Sequence, residues 1–451
     1  MSKQVSHPRI TFLLVLIAMM LMLMACTTTA VTPAATLPTS TARPPVAVPT
    51  AQPTEQPVVV AFVKDGDIYV WDSETRESEL VFTAGDVFAV TMSDDGQVVA
   101  FLRRSWVETA EMEWFQQSAL WAVERNGENP RELVSAEGLR QWLDAGERDS
   151  TNISQMDWIP GTHRLLYSGW TYLVQAEGES HATPKGLFLV DTDTLTDTVL
   201  VPPAGNNLRF VPSPDGGQIA LMYLDALSFI NVDGSNRRQD ILTYSPVGEG
   251  GPLFPTGVWS QDSRAFVFTG SLENDSGPGI NFTIWRVPVD GLPPEALANI
   301  SRSDPRLVTF SPDGQHVAFI QQYPDQRSQP VGWFISPLSV HVGPLAIPYF
   351  IDLAGYANLH WSPAGDAFTG NLLRLCPAAT RDSEVCEPPL NFFGVPIAAI
   401  QWIDGTRFVF LTGSPPVLFL ARMDGLAIPI VAWSSREISH SFAAYSAAQH
   451  R

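Results

Sequence analysis

From Val58 onward the chain alternates short apolar runs with polar turns, and one unit of run, turn and run recurs. Its clearest copy is Phe310 to Phe319, FSPDGQHVAF, with Leu307 to Phe310 apolar on one side of the turn and Val317 to Phe319 apolar on the other. Such runs predict strands packed on both faces. Within the turn, Pro312 presets the φ angle of the second position of a type I turn. Asp313 bonds its own backbone there, and Gly314 takes the fourth position at no steric cost.

Aligned on the residue before the turn, the other copies are MSDDGQVVAF from Met92, WIPGTHRLLY from Trp158, PSPDGGQIAL from Pro212, WSQDSRAFVF from Trp259, WSPAGDAF from Trp361 and a shorter WIDGTRFVF from Trp402. With the copy from Phe310 their starts are spaced by 66, 54, 47, 51, 51 and 41 residues, around the period of a four-stranded unit. After each turn come a second apolar strand and a third such as GLFLVDTDT, LSFINVDGS or VLFLARMDG. The third ends in residues that favour a tight hairpin, and ELV, TVLV, DIL and AIPIVAW read as short outer strands. Ser105 to Gln117 has some helical periodicity and is expected to sit inside a loop.

The turn Ser-Pro-Asp-Gly, the strand Val-Ala-Phe and a strand like IYVWD together resemble the WD40-like repeats of TolB-type β-propellers, over roughly Val58 to Ala447. The resemblance implies an all-β fold, a β-propeller of four-stranded antiparallel blades. It leaves function open, because propellers host binding modules and enzymes alike. Val58 to Phe82 supplies second, third and fourth strands with no turn motif ahead of them. Ser441 to Ala448 is the candidate for the missing first strand. That pairing closes the ring without an open edge and predicts eight blades, with seven as the count if the tail does not pair.

In such a blade the first-to-second and third-to-fourth connections share one face and are uniformly tight here, whereas most long insertions belong to the other. The latter include Arg103 to Ser118, Ser135 to Asn152, Gly169 to Lys185, Tyr244 to Gly257, Gly270 to Asn281 and the loop between the two downstream cysteines. Variable loops on one face of a rigid ring mark a candidate binding face. Trp106, Trp114, Phe115, Trp142, Trp170 and Tyr172 are its candidate anchors, against the alternative that individual rings pack down on the strands beneath. Trp158, Trp259, Trp361 and Trp402 occupy equivalent strand positions and are expected in the core between blades.

Composition sharpens the location. Lys3 and Arg9 precede an apolar run from Ile10 to Ala25, and Leu23-Met24-Ala25-Cys26 resembles a bacterial lipobox. That resemblance implies a signal peptide over residues 1–25, acylation at Cys26 and a membrane-anchored protein facing outside the cytoplasm. The alternative is an uncleaved signal anchor, although 16 residues fall short of the roughly 20 that span a bilayer. Residues 26–57 are dominated by Thr, Pro and Ala, a disordered tether ahead of the propeller at 58–448. Cys376 and Cys386 form an isolated pair for which a disulfide is the simplest use and two free thiols the alternative. No His accompanies them at zinc-knuckle spacing.

Net charge is −20, from 27 Lys and Arg against 47 Asp and Glu, which disfavours nucleic acid and otherwise reads as a solubility device. No G-x-S-x-G or H-E-x-x-H motif is present. Asp191, Asp193 and Asp197 resemble a calcium loop, but the sixth-position Gly is missing and Pro202 stands at the twelfth, so a hairpin turn accounts for them better. No cofactor or metal is expected. The partners expected are the membrane, through the lipid, and an envelope or extracellular protein or polymer. The alternative is a propeller enzyme acting on glycan or peptide.

Overall fold

A computed structural model describes the chain from residue 56 to residue 446, apart from 110–111, 147–148, 175–179, 204–206, 246–253, 272–279, 322–332, 339–359, 370–374, 378–396, 414–415 and 434–440. The signal sequence, Cys26 and the tether up to residue 55 lie outside the described residues, as does Cys386.

Sheet 1 contains β1 (Val58–Lys64), β2 (Asp67–Asp72) and β3 (Ser78–Phe82). Sheet 2 is β4 (Val87–Met92), β5 (Val98–Thr109), β6 (Met112–Glu124) and β7 (Arg131–Val134), followed by the short helix α1 (Ala136–Trp142). Sheet 3 is β8 (Ser150–Trp158), β9 (Arg164–Val174), β10 (Ser180–Asp191) and β11 (Thr196–Val201). Sheet 4 is β12 (Leu208–Pro212), β13 (Gln218–Tyr223), β14 (Ala226–Asn231) and β15 (Arg238–Thr243). Sheet 5 has six strands: β16 (Gly257–Trp259), β17 (Ala265–Ser271), β18 (Ile280–Pro288), β19 (Glu295–Phe310), β20 (His316–Gln321) and β21 (Trp333–Pro337). Sheet 6 is β22 (His360–Trp361), β23 (Ala367–Thr369) and β24 (Leu375–Pro377), and sheet 7 is β25 (Ile397–Trp402), β26 (Arg407–Thr412), β27 (Val417–Arg422) and β28 (Ala427–Ala432).

Pairing within the sheets is antiparallel between chain neighbours, with one exception. The tail strand β29 (Phe442–Ser446) adds to the free edge of β1, pairing Ser446 with Val58 and Phe442 with Phe62. It thus supplies the missing first strand. The described residues form seven sheets, one of them six-stranded because β19 runs unbroken from an outer strand opposite β18 into an inner strand opposite β20.

The sheets close on themselves as a β-propeller does. Val99 and Phe101 of sheet 2 pack with Val59 and Ala61 of sheet 1, and Ala100 and Leu102 with Leu165 and Tyr167 of sheet 3. Sheets 3 and 4 share a third cluster, and sheets 4 and 5 meet through Phe229, Trp259 and Phe266. His316 stacks on Trp361 between sheets 5 and 6 at 6.0 Å. Val409 and Leu411 of sheet 7 pack with Val58 and Val60, completing the circuit. Each large apolar side chain so buried contributes about 1.5–3 kcal/mol.

All four repeat tryptophans are buried at these seams. Trp259 Nε1 donates to the Val211 carbonyl across the seam (2.9 Å), and Trp402 Nε1 to that of His360 (3.2 Å). Two glutamines also bridge inner strands. The Gln155 amide on β8 donates to Phe210 O (2.7 Å) and accepts from Phe210 N (3.4 Å), and the Gln401 amide on β25 makes the same pair with Ala444 of β29, both at 3.1 Å.

The repeated turn is held by side chains. In the copy from Phe310, Gly314 N donates to Ser311 O at 2.8 Å and Gly314 has φ +66°, a left-handed value that favours glycine. Ser311 Oγ donates to Asp313 (2.5 Å) and accepts from His316 N (2.8 Å), while Asp313 accepts from Gln315 N (2.9 Å). The same Ser and Asp pattern recurs at Ser93, Ser213 and Ser260. Ile159 and Ile403 stand in the serine's place in the copies from Trp158 and Trp402.

Candidate functional site

The strand order gives the ring two unlike faces. On the turn face lie the serine turns and the hairpins between third and fourth strands. On the opposite, ribbon face two of the insertions expected as loops, Arg103 to Ser118 and Gly169 to Lys185, are paired strand where described, Ser135 to Asn152 holds α1, and most of Tyr244 to Gly257 and of Gly270 to Asn281 lies outside the described residues. The described residues of Ser105 to Gln117 are strand and not helix: β5 and β6 stay in register through Arg104 with Ser118, Trp106 with Gln116 and Val107 with Phe115. Gly169 to Lys185 likewise pairs β9 with β10 out to Val174 and Ser180. Cross-strand bonding satisfies backbone groups that a loop would leave to water, and it overrides the weak helical spacing.

All six candidate anchors fall on this face by chain order, and the structure separates them by environment. Trp106 is 53% exposed, with the Arg104 guanidinium 5.9 Å from its ring and 4.7 Å from Phe88. Trp142, in α1, packs down on Phe188 at 5.7 Å and belongs to the core between sheets 2 and 3. Trp170 is half-buried on β9 opposite Asn152 and Pro184. Trp114, Phe115 and Tyr172 lie on strands whose side chains at these positions are outside the described residues. The cysteine loop is placed differently from its expectation. Cys376 pairs with Phe368 inside the third strand of sheet 6, so the segment toward Cys386 follows that strand and does not join the second strand to the third.

A charged cluster on the turn face was not visible in the sequence. A cavity of about 420 Å3 spans the hairpins of sheets 1, 2 and 3, lined by Asp72, Glu77, Glu79, Glu124, Arg125, Arg131, His163 and Asp193 among others. Arg125 pairs with Asp72 at 2.5 Å, and Arg131 Nε donates to the Thr192 carbonyl at 2.6 Å. His163, from the turn of sheet 3, sits between two carboxylates. Its Nε2 is 2.8 Å from Asp95 in the turn of sheet 2, and its Nδ1 is 3.0 Å from Asp193 in the β10–β11 hairpin. Partial burial pulls the imidazole down, but the two carboxylates outweigh it and hold His163 above its ordinary value. Asp95 is held low: burial opposes this, but Ser93, Gln97 N and His163 all donate to it or lie against it.

The Asp191 to Asp197 stretch is a hairpin, as expected. Asp191 Oδ1 accepts from Asp193 N (3.0 Å) and Thr194 N (2.9 Å), while Asp197 accepts from the buried Tyr167 hydroxyl at 2.9 Å. On the inner strand β8, burial pushes Asp157 up to about 6 against a 2.6 Å hydrogen bond from Gln155 Nε2. Among the described residues no group of three His, Cys, Asp or Glu side chains is arranged to hold a metal ion.

The class defined by these sheets is the β-propeller. Solved structures similar to it include a eukaryotic initiation factor (11% identity, TM-score 0.47, covering 84% of this chain and 98% of that one). An oligogalacturonate lyase from Vibrio parahaemolyticus is 12% identical over 81% of this chain and 91% of that one, with TM-score 0.44. TolB from Acinetobacter baumannii is 14% identical over 86% and 82%, with TM-score 0.35. No family model and no curated protein matches the chain.

Proposed function

We propose that the chain is a binding module, anchored to a membrane through acylated Cys26 and facing outside the cytoplasm, whose ribbon face engages an envelope or extracellular protein or polymer. The observation that carries this reading is the β5–β6 ribbon, which extends past its sheet and presents Trp106 to solvent beside Arg104. A rigid aromatic flanked by a guanidinium is the side-chain combination that dominates interface hot spots. The entry of the chain supports the same orientation. Val58 pairs with Ser446 at the turn-face end of β1, so the ribbon face lies at the far end of each strand from that entry point.

A photo-crosslinking residue at position 106, introduced in cells, is expected to capture a discrete partner, and the same residue at the turn-face position Asn236 is not. Equal capture from both positions overturns the assignment of the face, and turnover of a glycan or peptide that Asp157→Asn abolishes overturns the binding reading. Anchoring has its own test. Each buried CH₂ of an acyl chain contributes about 0.8 kcal/mol, so Cys26→Ala should move the protein out of the membrane fraction. Its retention there would mean an uncleaved Ile10 to Ala25 segment.

A further inference from the structure

We propose that Asp95, His163 and Asp193 form a proton-dependent clasp that ties sheet 2 to sheet 3 on the turn face and loosens when the imidazole loses its second proton. A neutral imidazole carries one N–H, yet both ring nitrogens of His163 face carboxylate oxygens within 3.0 Å. Only the imidazolium donates to both. With one proton removed, one contact sets a nitrogen lone pair against a carboxylate oxygen, and that arm of the clasp is lost.

The surroundings hold the geometry in place without supplying a substitute donor to either arm. Asp95 Oδ1 is taken by Ser93 Oγ (2.6 Å) and Gln97 N (3.0 Å), which leaves Oδ2 for His163. Asp94 accepts from Gly161 N at 3.0 Å, fixing the histidine's turn against the turn of sheet 2. Of the other charged groups around the clasp, Arg131 on β7 is 4.0 Å from Asp193 and committed to the Thr192 and Asn129 carbonyls. At the end of β6, Arg125 is held by Asp72 and Glu124 accepts from Asn129. Asp191 is occupied by its own hairpin. The clasp therefore faces carboxylates on both sides, with Arg131 at the margin of the Asp193 arm and Tyr445 of β29 near Asp95. Its position at the edge of the 420 Å3 cavity means that release frees Asp193 toward that space.

The sign follows from linkage. His163 is held above 6.5 in the folded protein, so the clasp contributes fully below about pH 6.5 and is lost as pH rises through the higher folded value. The contacts are partly exposed, and salt is expected to weaken them.

The test uses the full chain in detergent, labelled with 13Cε1 at its eight histidines, with His163 assigned by comparison with His163→Gln. The His163 midpoint is expected above 6.5, and Asp193→Asn and Asp95→Asn should each lower it. Hydrogen exchange at residues 93–97 and 191–195, corrected for the intrinsic pH dependence, should slow on acidification by up to about tenfold for each pH unit of the shift. This change should be absent from His163→Gln. A midpoint at or below 6.5, a midpoint unmoved by both aspartate variants, or exchange with no step at the midpoint overturns the proposal. If His163→Gln does not fold, the wild-type titration and the two aspartate variants decide.

Discussion

The two faces of the ring solve the same problem by different means. On the turn face the chain reversals are short, and in the serine turns backbone groups are satisfied by a serine and an aspartate from within the turn, as at Ser311 and Asp313. On the ribbon face the chain runs on past the sheet and the backbone satisfies itself, β5 against β6 and β9 against β10. A turn built from side chains tolerates little change in sequence, whereas a self-paired ribbon leaves its side chains free to vary. The first is suited to holding sheets together, the second to presenting a surface.

Deletion has the largest expected effect and breaks the comparison most directly. Removing residues 441–451 takes away β29 and exposes the edge of β1, so cooperative unfolding should be lost and edge-to-edge association should appear in size-exclusion chromatography. Replacing residues 106–116 of the ribbon by a two-residue Asn-Gly turn between the paired Ser105 and Gln117 should leave both the β-sheet signal and the unfolding transition intact. Similar losses from the two deletions would mean that the ribbon also holds the ring.

Ser311→Ala is next. It removes a buried hydroxyl, leaves His316 N without its acceptor and takes one of two donors from Asp313 Oδ1, at a cost of about 1–3 kcal/mol in denaturant unfolding. Trp106→Ala on the opposite face should stay within about 0.5 kcal/mol of wild type, because half of the ring is already in water.

Asp157 sharpens the contrast through pH. Its folded value is raised from 3.8 to about 6, so the group favours the folded state below pH 3.8 and that advantage is lost as pH rises through 6. Asp157→Asn keeps an oxygen for Gln155 and carries no charge. It should be more stable than wild type at pH 8, by about 1–3 kcal/mol, with the difference vanishing near pH 4. A constant difference across that range would mean that the carboxylate is already neutral, or already solvated, at pH 8.

What the sequence made legible follows the same division. The serine turns and the tryptophan seams are local patterns repeated every 41 to 66 residues, and repetition raises a weak signal in any single copy; the closing tail is legible because the first unit lacks its own first strand. Of the weak copies, those from Trp158, Trp361 and Trp402, two have an isoleucine in place of the turn serine, at Ile159 and Ile403, while the third keeps Ser362. The ribbons are not legible in the sequence because Ser105 to Gln117 carries no turn signal and no strict alternation, and its pairing is decided by the partner strand. The His163 clasp joins residues 30 and 68 positions apart, one in the same sheet and one in its neighbour, with no spacing rule to announce it. Asp193 was noticed for a calcium loop it does not form.

The closing tail also determines how the ring carries force. The chain enters at β1, which is flanked by β29 on one side, with five residue pairs, and by β2 on the other, with six. A pull on the residues ahead of Val58 acts along β1, so the hydrogen bonds on both flanks are loaded in shear and must fail together, whereas a strand peeled from an edge yields one bond at a time. Arg407 Nη1, which donates to the Gln56 carbonyl at 2.6 Å, adds a further catch at the point of loading. Bracketed in this way, the first strand of the ring is a mechanical anchor point.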